Sequence, residues 1–203
     1  MEKRIYLVRH GRPELPDRNT RFLGRSDLPL SEEGRKQAEE LRSVFENLPL
    51  EGVFTSGLKR ADETASIVAG HRDIPFTTLP ALQEIAFGKW ELLTMDEIRL
   101  KDPGAYEERG RDFAHFRPEG GENFLEVQQR VWPAFLSLAD EQRGDILVAA
   151  HSGVFKTILL TLLGLPWQRL FTLRQDYCGV HVLHLSGGEL LVKRLNWSPR
   201  LGG

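Results

Sequence analysis

Ile5-Tyr6-Leu7-Val8-Arg9-His10-Gly11 runs four β-favouring residues into a charged pair and a glycine. Gly11 and then Pro13 stop a strand, so the stretch predicts a strand over residues 4–9 whose carboxyl end presents Arg9 and His10. A loop rich in arginine and proline follows as far as Ser31, which suits a helix N-cap. Ala38, Leu41, Val44, Phe45 and Leu48 then recur at helical spacing up to Pro49. Gly52-Val53-Phe54-Thr55 repeats the pattern as a second strand. Ser56 is a capping residue for the next apolar stripe, Leu58, Ala61, Ala65 and Val68, which ends before Gly70.

A third strand is expected over 75–79, leading into Leu82-Gln83-Glu84. Residues 92–118 have no clean period and contain Pro103, Gly104, Gly110 and Pro118, which predicts an insertion of short helices forming a substrate lid. From Glu122, the spacing of Phe124, Val127, Val131, Phe135 and Leu138 predicts a helix kinked at Pro133. Residues 145–150 are almost wholly apolar, as in a strand buried on both faces, and Ser152 is expected to cap a helix running through Leu163. Strands near 179–185 and 189–195 flank Ser186-Gly187-Gly188, a hairpin signal. The alternation predicts a single α/β domain over 1–203. It is a three-layer sandwich with a mostly parallel central sheet, helices on both faces and a small helical insertion.

Composition narrows the function. The chain has 203 residues, 27 bases against 29 acids, and a single cysteine, Cys178, which cannot form an internal disulfide. There is no global positive field to gather nucleic acid or an anionic bilayer. Charge is uneven, however: residues 1–30 hold seven bases against four acids, and residues 84–126 hold eleven acids against six bases. The cationic segment reads as a site for a small anion. The apolar run at the N-terminus is too short for a signal peptide. The stretch Val154–Trp167 is broken by Lys156 and Thr157, short of the roughly 20 residues a span needs. A cytoplasmic protein is expected, with no membrane and no nucleic acid partner; a homodimer is an admissible assembly.

In open α/β sheets ligands collect beyond the carboxyl ends of the strands. The first strand offers Arg9 and His10, the second Ser56 and Arg60, the third Glu84, and the buried strand His151 at a helix start. Two histidines, two arginines and a glutamate suit phosphoryl transfer. The guanidinium fork matches phosphate oxygens, and backbone N–H groups after His151 favour an anion. A neutral His10 is the nucleophile, and a protonated His151 neutralises charge on the equatorial oxygens. Glu84 supplies the proton that the leaving alkoxide needs, provided it is protonated at the working pH. No metal or other cofactor is required, because the guanidiniums and the imidazolium neutralise charge. Rival readings make Arg60 an exposed helix residue pairing with Glu63 or Glu40, Glu84 a solvated loop acid, and Ser56 and Ser152 helix caps. His181 and His184, three apart in a strand, face opposite sides and cannot easily share an ion.

Leu7-Val8-Arg9-His10-Gly11 also resembles the Arg-His-Gly signature of the histidine phosphatase superfamily, the phosphoglycerate mutase-like family. Similar segments follow in order: Arg21-Phe22-Leu23-Gly24, Asp27–Ser31, Thr55–Ala61, Leu82-Gln83-Glu84 with Phe87–Glu91, Gly120-Gly121-Glu122, and Ala150–Val154. The resemblance implies a phosphoglycerate mutase-like fold. It implies phosphorylation of His10, a phosphate pocket of Arg9, Arg60 and His151, and Glu84 as proton donor. Gly11, Ser152, Arg12, Asn19 and Arg21 are further candidates to bind phosphate or substrate. The look is closest to the alpha-ribazole phosphatase and broad-specificity phosphatase branch. That implies a small phosphorylated metabolite as substrate, such as alpha-ribazole phosphate or a sugar phosphate. A phosphomutase and a catalytically inactive phospho-ligand binder are the alternatives. Two departures stand out: Pro16 falls where many members have a phosphate-binding asparagine, which Asn19 or Arg12 could replace, and Leu92 stands where glycine is frequent.

Overall fold

The computed structural model describes residues 2–199 and contains a six-stranded sheet. In chain order come β1 (Glu2–Arg9), α1 (Glu32–Phe45), β2 (Leu50–Thr55), α2 (Lys59–Ala69), β3 (Phe76–Thr78), α3 (Met95–Lys101), α4 (Pro103–Arg111), α5 (Phe124–Glu141), β4 (Asp145–Ala150), α6 (Ser152–Leu162), β5 (Val180–Ser186) and β6 (Glu189–Trp197). The sheet order is β3-β2-β4-β1-β5-β6. The first four run parallel, while β5 and β6 pair antiparallel. Arg9 lies opposite Ala150, and Thr55 opposite Ala149, so β1, β2 and β4 end level and present their next residues side by side.

β4 is apolar throughout because each face meets a different layer. Ile146, Val148 and Ala150 pack with Ile5, Leu7 and the apolar faces of α5 and α6; Leu147 and Ala149 pack with Tyr6, Val8 and the faces of α1 and α2. Ser31 caps α1, its Oγ accepting from Gly34 N at 3.1 Å. The β5–β6 connection is a two-residue turn with both glycines at positive φ, Gly187 at 60° and Gly188 at 89°, the geometry that follows strand twist.

Several expected boundaries differ for local reasons. The N-cap of α6 is His151, not Ser152, which is already the first helical residue. Likewise Leu58, not Ser56, is the N-cap of α2. α5 begins after Asn123 rather than at Glu122, because Asn123 and Glu126 form a reciprocal capping box. That helix is unbroken at Pro133. β3 shrinks to three exposed residues, since it pairs only with β2 at the sheet edge.

Between residues 92 and 118, α3 and α4 are held by an aromatic cluster rather than by the sheet. Trp90 stacks on Phe116 with centroids 4.9 Å apart, and Phe22 meets Trp90 and Phe87 edge-on at 5.5 and 5.0 Å. Leu92 enters this segment at φ 63°, in the left-handed region. It is pinned from both sides: its N–H donates to Phe22 O at 2.8 Å, and its carbonyl accepts from Arg21 Nη1 at 2.7 Å. The loop therefore keeps a glycine-type conformation with a leucine in it.

Leu92→Gly should change the unfolding free energy by less than about 1 kcal/mol, because relief of strain offsets lost packing and chain entropy. Leu92→Val keeps more side chain, yet a β-branched residue at positive φ should cost about 1–3 kcal/mol. Chemical denaturation that ranks Val above Gly would refute the strained assignment.

Candidate active site

His10 follows β1 directly, and its backbone N–H extends the ladder to Ala150 O at 3.0 Å. The ring is buried, with Nδ1 2.7 Å from Gly11 O. A carbonyl only accepts, so Nδ1 carries the hydrogen and Nε2 carries the lone pair. Arg60 Nε donates to that lone pair at 3.3 Å. The Arg60 guanidinium is fully buried, its Nη1 donating to Ser26 O at 2.8 Å and its Nη2 to Gly24 O at 2.5 Å. It is not a surface helix residue, and Glu63 pairs instead with Arg35.

His151 follows β4, fully buried, with its ring 5.1 Å from that of His10. Its Nε2 lies 2.7 Å from Ser56 Oγ, so Ser56 orients this histidine while also accepting from Leu58 N. Arg9, half-buried, donates through Nη1 to Gln175 O and stacks on Tyr177, Cζ lying 4.0 Å from the ring centroid. Glu84 is buried rather than solvated. Its Oε1 accepts from Ile85 N and its Oε2 from Gly153 N, both at 3.0 Å. Arg130 holds the backbone around it, donating to Ala81 O and Glu84 O while bridging to Glu122, which accepts from Ala86 N. A Cβ at Gly88 would lie 2.0 Å from Glu119 O, and one at Gly121 2.6 Å from Ala86 O, so these backbones touch where the two glycine-bearing segments meet.

Burial pushes His10 well below the usual imidazole range, and the Arg60 and Arg9 charges add to this. His151 is depressed by burial, then by Arg60, His10 and Arg9. Both shifts favour the neutral ring. Among the described residues, neither Arg9 nor Arg60 has a carboxylate within ion-pair distance.

A cavity of about 560 Å³ opens over this cluster. Arg9, His10, Glu84 and Ser152 line it; Arg60 and His151, each in contact with the His10 ring, do not. Gly11 is also set back, and a Cβ there would lie 2.5 Å from Gly34 O, so it is the close approach of two backbones that fixes this position. Arg12 reaches the wall and pairs loosely with Glu33 at 3.5 Å. Asn19 is on the wall with its amide donating to Asp17 Oδ2 at 3.1 Å. Arg21 is on the wall too, but Asp17, Glu97 and Leu92 O occupy its guanidinium. Sequence reasoning passed over Tyr177, Lys156 and Arg109, which also line the cavity. Lys156 had a signal, since it stands one helical turn beyond Ser152-Gly153; Arg109 and Tyr177 had none.

The family model for the histidine phosphatase superfamily (branch 1) matches residues 5–198. The chain belongs to that superfamily. It is 31% identical over 202 residues to an adenosylcobalamin/alpha-ribazole phosphatase of Salmonella typhimurium, covering 97% of this chain and 99% of the relative. It is 30% identical over 172 residues to a glucosyl-3-phosphoglycerate phosphatase of Mycolicibacterium vanbaalenii, covering 81% and 76%. The crystal structure of the alpha-ribazole phosphatase from Shigella flexneri superposes with a TM-score of 0.87 at 28% identity, over 96% of each chain. A histidine phosphatase with phosphatases as relatives is a hydrolase, and its phosphoglycerate mutase-like α/β fold is that of its structural neighbours. No helix among the described residues is long and apolar enough to cross a membrane.

Neutral burial of these rings has a pH consequence. His181, buried beside Gln175 and Asn196, is likewise lowered, to about 4, by burial and then Lys156. The unfolded chain takes up protons on these histidines from about pH 6.5, while the folded chain resists. Stability should therefore fall as pH drops, by about 2 kcal/mol per buried histidine between pH 7 and 5. Urea unfolding of the ligand-free protein across that range measures it; a flat or rising profile would contradict neutral burial.

Proposed function

We propose that this chain hydrolyses a small-molecule phosphomonoester through a phosphohistidine on His10. The observation that carries the reading is the pairing of Nδ1 with Gly11 O and of Nε2 with Arg60, which presents one imidazole lone pair beside a buried cation. As the Arg60 Nε–H turns from Nε2 to a phosphoryl oxygen, the freed Nε2 lone pair attacks phosphorus while the P–O bond to the alcohol breaks, and Glu84, protonated, passes its proton to the departing oxygen. Phosphoryl oxygens arriving at Nε2 come up against the Arg60 and Arg9 guanidiniums, and their charge raises the proton affinity of His151. Water then attacks the P–N bond, the Glu84 carboxylate accepts its proton, and inorganic phosphate leaves with His10 neutral again. The Nδ1–H bond to Gly11 O persists through both steps and stabilises the positive ring of the phosphohistidine.

For the substrate, the names of the relatives support alpha-ribazole phosphate or a sugar phosphate. The cavity, walled in part by Phe22, Phe87 and Phe124, is large enough for a metabolite with a ring.

Purified protein should release phosphate from p-nitrophenyl phosphate in EDTA, and His10→Ala should lower the rate by at least about a thousandfold; full activity of that variant would remove the nucleophile. Glu84→Gln should slow alkyl phosphates far more than the activated aryl ester. Gly153→Ala should share that selective loss, because its Cβ would lie 2.4 Å from Glu84 Oε1 and displace the carboxyl group. Equal loss on both ester classes would contradict the proton-donor role. Phosphoglycerates isomerised without net phosphate release would identify a mutase instead.

A further inference from the structure

Away from Arg9, three cations on the cavity wall, Arg18, Arg109 and Lys156, have no carboxylate within ion-pair distance among the described residues, and two of them, Arg109 and Lys156, meet at one aromatic ring. Arg109, on α4, and Lys156, on α6, both line the cavity, and among the described residues neither makes a hydrogen bond or an ion pair. What they touch is aromatic. The Arg109 guanidinium lies 5.1 Å from the Phe22 ring centroid and 5.8 Å from that of Phe171, and Lys156 Nζ lies 5.7 Å from the same Phe171 centroid. Aromatic faces orient a cation without neutralising it. Both groups are partly desolvated, which lowers their proton affinity, with Arg9 lowering Lys156 further.

This isolation is not for want of acids. Residues 84–126 carry eleven acids against six bases, and Glu107 and Glu108 adjoin Arg109 in sequence. Glu107 pairs with Arg111, and Arg99 and Arg117 on either side find Asp96 and Glu126. Arg109 alone among these turns inward. A methionine of similar reach would fill the slot between Phe22 and Phe171 without the cost of burying a charge.

We infer that the outer cavity wall is a second oxyanion subsite, built by Arg109 and Lys156 around Phe171, so that the substrate is a phosphomonoester whose alcohol carries a further anionic group. This rests on the phosphatase reading above and, of the substrates named there, favours a phosphorylated sugar that bears a second anion over alpha-ribazole phosphate. The subsite lies on the side of the leaving alcohol. Lys156 stands one turn after Gly153, whose N–H holds the Glu84 carboxyl group, and all three residues line the same cavity. The reacting phosphate is met by Arg9 and Arg60, so a cation pair beyond Glu84 faces the remainder of the molecule. A carboxylate and a second phosphate share the chemistry this pair recognises.

Matched substrates test it through kcat/KM for phosphate release. Glycerol 3-phosphate and 3-phosphoglycerate differ by replacement of a CH2OH with a carboxylate; fructose 6-phosphate and fructose 1,6-bisphosphate differ by a second phosphate. The wild-type protein should favour the more anionic member of at least one pair by about tenfold or more, the contribution of a charge-assisted hydrogen bond. The pair that shows it identifies the anion. Arg109→Met and Lys156→Gln should each cut that ratio several-fold, and Lys156→Arg should restore part of it. A wild-type ratio near one in both pairs, or a ratio unchanged in variants that lose both activities together, would overturn the subsite. If p-nitrophenyl phosphate is turned over while discrimination is absent, only the subsite falls; if no phosphoester is turned over, the phosphatase reading falls and the subsite with it.

Discussion

The Arg60 guanidinium is buried completely without a carboxylate against it, held by two backbone carbonyls and one imidazole nitrogen. Burying an uncompensated charge is costly, and the surrounding chain is arranged to make it tolerable. Gly24 O and Ser26 O must point inward, so the loop that carries them is tied down by Glu91, whose carboxylate accepts from the backbone N–H groups of Gly24, Arg25, Ser26 and Phe87. Glu91 thus compensates Arg60 at one remove, through the dipoles of the intervening peptides. Burial first, and then this same charge, lowers the proton affinity of His10 and His151, and a neutral imidazole is what nucleophilic attack requires.

The sheet makes this concentration of polar groups possible. Because β1, β2 and β4 end level, His10, Ser56 and His151 project from neighbouring strands into one place, and no loop has to bring them there. The antiparallel pair β5–β6 contributes from the other side. Asn196 N donates to His181 Nδ1, which leaves Nε2–H to donate to Gln175 Oε1, and the Gln175 carbonyl accepts from Arg9. Arg9 is therefore oriented by a chain of buried polar contacts reaching back to the last strand. One end of the sheet is rigid for the same reason that it is polar: each group is held by a partner that is itself held.

Strand ends were legible in the sequence because apolar runs punctuated by glycine and proline are a local signal, and Arg9, His10, Arg60, Glu84 and His151 all lie within a turn or two of one. The helix starts were read less well. Ser152 and Ser56 look like caps by residue type, yet tertiary contacts decide otherwise: Ser56 Oγ is drawn to His151, and the backbone of His151 itself takes the cap conformation. Asn123 was missed because its partner Glu126 follows only three residues on, among many acids. Arg109 and Tyr177 left no sequence signal at all. The place of Arg109 on the wall depends on how aromatic side chains from residues 22, 87, 90 and 116 cluster, and that of Tyr177 on its ring contacts with His10 and Arg9, neither of which any periodicity encodes.

That division has a physical consequence for how such a site can change. The groups around His10 are coupled through short hydrogen bonds and shared burial, so altering one disturbs the charge state of the rest. Arg109 is instead carried by α4, which reaches the cavity through ring contacts with Phe22 and Phe171 and makes no ladder bond to the sheet. Aromatic packing is broad in its angular preference and tolerates exchange of residues of similar volume far better than a buried polar network does. Even the strained Leu92 at the root of this segment is accommodated by two backbone contacts from the Arg21-Phe22 loop. The polar cluster at His10 is thus the part of the cavity that resists variation, while the wall carried by α4 is the part that permits it. Residues 92–118 can therefore change without disturbing the hydrogen bonds that hold His10.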